Sequence, residues 1–142
     1  MRRSQEGWLI PGTAHRYEPH RPEPGDFGVI VTCPKNNTAM LEAKLENVGW
    51  SFWNFQRAPK RFEPGDLLYV VHHGEIRHVF ETGSFERGPK PPVEDAEGHN
   101  PPLRRGGVRA WLNDYWELDE PIPMKGFQGF RYFEPTKEER TE

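Results

Sequence analysis

Four of the six residues from Trp50 to Phe55 are aromatic: Trp50, Phe52, Trp53 and Phe55. Such rings can hold a planar heterocycle by stacking, for about 1–3 kcal/mol per base. Two or three together can enclose a base that has left its stack. The same alternation also suits the core of a small β domain, where rings simply fill space. Upstream, Cys33-Pro34-Lys35-Asn36-Asn37 ends an apolar run and opens a helical pattern. Free N–H groups at a helix start suit a carbonyl or phosphate oxygen. An Asn side chain offers a donor and an acceptor together to a base edge, although Asn36, Asn37 or Thr38 equally suits the ordinary role of helix cap. Trp50, Trp53, Cys33, Asn36 and Asn37 are therefore candidate base-binding residues. Lys35, Arg57, Lys60, Arg61 and Arg109 are candidates for contacts to a phosphate backbone. Surface charge with no target is the ordinary alternative for each of them.

Other reactive side chains form no recognisable set. His72, His73, His78 and Cys33 match no metal-ligand spacing, and neighbouring His72 and His73 point to opposite faces of a strand. Cys33 has a helix start to lower its pKa but no paired base in the sequence. No catalytic residue, metal or cofactor is assigned.

The elements that must position these residues centre on Phe62 to Phe85. Pro64-Gly65-Asp66 is turn chemistry, because Pro presets φ, Gly accepts positive φ and Asp can bond its own backbone. Leu67 to Val71 then reads as a strand. His73-Gly74 closes a tight turn and Glu75 to Phe85 returns. With those two loop residues, His72 faces Glu75. Leu67, Tyr69 and Val71 are then expected to share a face with Ile76, His78 and Phe80.

Before the hairpin, Phe27 to Cys33 is a buried strand stopped by Pro34. Met40, Leu41, Lys44, Leu45 and Val48 fall at helical spacing, with Glu42, Lys44 and Glu46 also suited to the outer face. That predicts one helix over Asn36 to Val48, ended by Gly49. Trp50 to Phe55 fits a short strand or extended loop. After the hairpin, Arg87 to Gly107 is dominated by Pro, Gly and charge and reads as a long exposed loop. Val108 to Leu118 is a further strand with a bend at Asn113-Asp114. Pro121 to Gly129 reads as a turn region and Phe130 to Phe133 as a closing strand. No internal repeat is expected. The organisation is an irregular arm over 1–26, one domain over 27–134 and a polar tail over 135–142.

Composition limits the function classes. A chain of 142 residues is long enough to bury a core as one domain. Its mean hydropathy of −0.91 is low, but 13% aromatic residues argue against disorder. The net charge of −3 argues against a strong non-specific polyanion binder. Fifteen Pro and 14 Gly imply many loops. One Cys excludes an internal disulfide and makes a cytoplasmic location the expectation. No apolar run reaches membrane-spanning length, and Pro11 interrupts the segment after Arg2-Arg3 that a signal peptide would need.

Glu63-Pro64-Gly65-Asp66-Leu67-Leu68-Tyr69 with Gly74-Glu75-Ile76, and Met124-Lys125-Gly126-Phe127 through Arg131-Tyr132-Phe133, resemble the PUA-like superfamily. Its EVE and YTH branches are the most similar, with ASCH as a cousin. The resemblance spans about 27–134 and implies an α+β fold: a small, mostly antiparallel β-barrel with one main helix. It further implies a non-catalytic domain whose partner is DNA or RNA carrying a modified base, read in an aromatic pocket. In such relatives an aromatic after the first helix helps form that pocket, which makes Trp50 and Trp53 the carry-over candidates. The ASCH branch implies an alternative, a small hydrolase acting on a modified nucleoside. Its Gly-x-Lys-x-x-Thr-x-Arg pattern is absent here, and Lys35, Lys125 and Glu75 have no spacing that replaces it. A protein-interaction module is the third reading.

Overall fold

The computed structural model describes residues 22–93 and 102–134. Residues 1–21 of the expected arm, the middle of the expected long loop and the polar tail lie outside the described residues. The chain is α+β, with strands β1 (Gly28–Thr32), β2 (Ser51–Phe55), β3 (Leu67–His72), β4 (Glu75–Arg87), β5 (Val108–Pro123) and β6 (Arg131–Phe133). One α-helix, α1 (Thr38–Glu46), follows a single 3-10 turn at Lys35–Asn37. No helix among the described residues is long and apolar enough to cross a membrane.

The strands form one sheet in the order β2-β5-β4-β3-β1-β6. Of its five pairings, β1 with β3 is parallel and the other four are antiparallel. The sheet is therefore mixed. The parallel pair is possible because the chain between β1 and β3, with α1 and β2, supplies the long crossover such a pair needs. Among the described residues no pairing joins β2 to β6, so the sheet is open, where closure would have made a barrel.

The turn at Glu63–Asp66 has the conformation its sequence demands. Gly65 has φ +97°, Asp66 N donates to Glu63 O at 3.0 Å, and Glu63 N donates to the Asp66 carboxylate at 2.9 Å. The same tetrapeptide occurs at Glu23–Asp26, a repeat that the sequence reading missed. It folds the same way: Gly25 has φ +106°, and the two equivalent hydrogen bonds measure 3.0 and 2.9 Å. Each turn feeds one strand of the parallel pair, in the register Gly28 opposite Leu67. Each is clamped by a hydroxyl. Tyr69 Oη accepts from Gly25 N and donates to Asp26 O, while Thr82 Oγ1 accepts from Gly65 N and donates to Asp66 O. Burial holds the Asp66 carboxyl above its usual range, against the Glu63 N–H that favours its ionised form.

The hairpin closes as expected at His73-Gly74, both with positive φ, and His72 faces Glu75. The expected faces are corrected further along. The register runs Val71 to Ile76 and then Val70 to His78, so Arg77 is an extra residue in β4. One inserted residue flips every later side chain. Leu67, Tyr69 and Val71 consequently pack with Ile76 and Val79, while Phe80 joins Leu68 and Val70 on the other face.

Two apolar clusters result. The first joins Val29, Val31, Leu68, Val70, Phe80, Val108, Ala110 and Leu112 with Leu41 of α1 and Phe55 of β2. The second lies on the opposite face around Tyr69, which stacks on Phe133 at 4.2 Å between ring centroids. Trp116, Leu118, Ile122 and Met124 cover it. The expected turn region at Pro121 is corrected, because β5 continues to Pro123 and pairs with Glu75. The expected loop over 87–107 is also shorter: Gly88 N bonds Gly107 O, and Lys90 and Leu103 exchange two backbone bonds with Leu103 buried.

Candidate functional site

The open side of the sheet holds a cleft of about 580 Å³, within the usual range for small-molecule sites. One wall is the run Trp53 to Arg57, the second half of β2 and the two residues after it. The other wall is Val31 and Thr32 at the end of β1, with Gln128, Gly129 and Phe130 before β6. The cleft exists because β6 is short. It pairs with Gly28–Ile30 only, so β1 continues past it with an uncovered edge. Phe127 N donates to Thr32 Oγ1 at 3.1 Å and fixes the segment that flares away there.

Trp53 presents the aromatic surface. It is half-buried and packs at the margin of the first cluster, and Lys44 Nζ lies 5.7 Å from its ring centroid. Lys44 was expected to suit the outer face of α1. It is 3% exposed instead, because its ammonium donates to Phe52 O at 2.6 Å and sits 5.6 Å from the Phe52 ring. An edge strand leaves carbonyls without sheet partners, and this lysine supplies one.

Val31, Phe55, Gly129 and Phe130 add apolar wall, and amides and a hydroxyl supply polar groups. Asn54 Oδ1 accepts from Arg109 Nε at 3.0 Å, which fixes the orientation of the amide. Its Nδ2 is buried with no hydrogen-bond partner among the described residues. Gln56 spans outward, donating to Pro102 O and accepting from Arg104 N, both at 3.0 Å. Gln128 and the hydroxyl of Thr32 face it from the second wall. Arg57 is the one charged residue among the described lining residues, and it is exposed.

Of the base-binding candidates, only Trp53 lines this cleft. Trp50 lies before β2 and is 55% exposed, away from it. Cys33 is buried, with its thiol 3.4 Å from Asn37 O and its carbonyl 2.9 Å from His72 Nδ1. Asn36 and Asn37 are exposed and outside the lining, and Asn37 makes no side-chain cap bond. Thr38 Oγ1 sits instead 3.3 Å from Lys35 O and 2.9 Å from His72 Nε2.

Among the backbone-binding candidates, Arg57 alone is in the cleft. Lys35 and Lys60 are exposed elsewhere. Arg61 bonds Glu134 at 2.8 Å and lies over the rings of Phe27 and Tyr132. Arg109 is corrected outright: it is 0% exposed, stacked on Phe52 and 3.4 Å from Glu86, so it faces the interior and not a phosphate. Among the described residues no group of three or more His, Cys, Asp or Glu is placed to hold a metal. Burial lowers the pKa of His78, against the carboxylate of Glu117.

Sequence reasoning missed Thr32, Asn54, Gln56 and Gln128. Asn54 carried a usable signal, being the polar residue of an otherwise aromatic alternation opposite Arg109. Gln128 carried none, since only the fold brings it to β2. No known family model matches the chain, and neither a characterised protein nor a solved structure shows detectable similarity to it.

Proposed function

We propose that this chain is a PUA-like domain that binds a nucleobase, a modified one in DNA or RNA, in the cleft between β2 and the end of β1. The observation that carries the reading is Trp53, an aromatic side chain at a cleft of suitable size whose lining also holds amides and a hydroxyl. The ring gives stacking that accepts any base. Thr32, Gln56 and Gln128 give donors and acceptors that restrict which base enters. Arg57, an exposed cation of the lining, suits a phosphate of an inserted nucleotide. The net charge of −3 gives little further help from phosphates, so selectivity rests on the base.

The test is a fluorescence titration of the full chain with short single-stranded oligonucleotides, modified and unmodified. Binding near micromolar protein with quenching of Trp emission is expected, and Trp53→Leu should abolish most of it. No binding across the panel removes the reading.

A second reading is favoured by one observation. Five consecutive residues of an edge strand and its continuation, Trp53 to Arg57, line the cleft, which also suits an extended peptide added as a strand. A hydrolase would need an acid–base pair, and the described lining offers no carboxylate, histidine or lysine for one.

A further inference from the structure

Resting on the base-binding reading, the geometry points to a cleft that selects by charge: we infer that it takes uncharged bases and rejects bases with a fixed positive charge. Cages that accept alkylated cations work through the negative face of aromatic rings. Here that face is already in use. Lys44 Nζ lies over Trp53 at 5.7 Å, and Lys44 is not a lining residue, so its charge acts on the ring from the side of α1. A cation on one face of a ring weakens the attraction of the other face for a second cation. Stacking of a neutral base is left intact.

The remaining charges act in the same direction. Arg57 is the sole charged residue of the described lining. Behind Asn54 stands the guanidinium of Arg109, 3.0 Å from the amide oxygen. Glu86, 3.4 Å from that guanidinium, lies outside the lining. Asn54 Oδ1, an acceptor that would suit a cationic base, is committed to Arg109.

The experiment uses near-isosteric pairs placed singly in the same short single-stranded oligonucleotide. For a purine, 7-methylguanine carries the charge and 7-methyl-7-deazaguanine does not. For a pyrimidine, 3-methylcytosine carries it and 3-methyluracil does not. At mildly acidic pH both charged members are full cations. Titration of the full chain should show the neutral member of at least one pair bound roughly tenfold tighter or more, as one opposed charge in a partly desolvated site implies. Lys44→Met keeps the side-chain length and should narrow that ratio several-fold. Should that variant fail to fold, Arg57→Gln, at an exposed position, carries the same test. The phosphates are common to both members of a pair, so the ratio isolates the charge on the base. Equal binding within both pairs, or tighter binding of the cation, overturns the inference and leaves base binding standing. No binding by either neutral member overturns the base-binding reading, and this inference with it.

Discussion

The two ends of β1 differ in what pairs with them. At its start, Gly28 is held between β3 and β6, opposite Leu67 and Phe133. The turn before it repeats the turn before β3 and is clamped by the hydroxyl of Tyr69. At its other end, Val31 and Thr32 pair with β3 alone and line the cleft. One end has backbone partners on both sides, and the other has an unpaired edge. Stability is concentrated where polar groups are satisfied, and binding capacity where they are left over. Substitutions at the closed end should therefore act on folding and those at the open end on ligand.

The largest effect is expected at Gly28. A Cβ there would run into the backbone of Leu67 and the ring of Tyr69, neither of which can yield cheaply. Gly28→Ala should destabilise by about 3 kcal/mol or more, read as a lowered denaturant midpoint. Stability unchanged within error would show that the closed end is looser than its contacts suggest. Next is Tyr69→Phe, which keeps the stacked ring and removes the hydroxyl between Gly25 and Asp26. A loss of about 1–3 kcal/mol is expected, with ligand affinity unchanged.

At the open end the readouts should reverse. Trp53→Leu keeps apolar packing and removes the flat ring, so oligonucleotide affinity should fall by about 1–3 kcal/mol, roughly five- to 150-fold. Trp50→Leu, at an exposed site outside the cleft, should change affinity by less than about 0.5 kcal/mol. Equal effects of the two would erase the distinction. Thr32→Val should fall below Trp53→Leu in its effect. It removes the acceptor for Phe127 N, and about 1 kcal/mol of stability should go with it, accompanied by weaker binding as the second wall loosens.

The smallest effect is one of pH. His78 lies across the sheet from Val31 through Val70, in the row of the open end. Its folded pKa is lowered, chiefly by burial, below the ordinary histidine value of 6.5. The unfolded chain then binds the proton more readily, so this contribution to stability is present above 6.5 and is lost as pH falls through the lowered value. Denaturation profiles should show that slope, and His78→Gln should flatten it. Asp66, at the closed end, acts with the opposite sign. Its folded pKa is raised above 3.8, so acidification through that region relieves a cost of burial.

Much of the fold was legible because local chemistry fixes local shape. Glu-Pro-Gly-Asp gives the same turn twice, and His73-Gly74 gives the hairpin, since few backbone conformations satisfy those residues. The alternations at Ser51–Phe55 and Val108–Leu112 group Val108 with Ala110 and Leu112, and Phe55 with Trp53, but only the packing shows that those sides face the core. The extra residue at Arg77 was not legible, because a bulge leaves no mark in a run that remains strand-like. The interior positions of Lys44 and Arg109 were missed for a related reason. Charged residues are assigned to the surface by type, and only the structure reveals a partner inside: a carbonyl and two rings for Lys44, an amide, a carboxylate and a ring for Arg109.

The candidate site divides along the same line. By itself the sequence determined that aromatic rings cluster after the helix, that the turns stand where they do and that the chain carries no excess of positive charge. Which ring meets a cleft was decided by tertiary structure alone. Trp50 and Trp53 are three residues apart and chemically identical, and they separate because β2 is an edge strand whose later half faces the uncovered end of β1. Thr32 and Gln128 reach that same place from distant parts of the chain. The sheet order and the shortness of β6 bring them there, and neither is written in the residues near them, because strand pairing is a choice between distant segments.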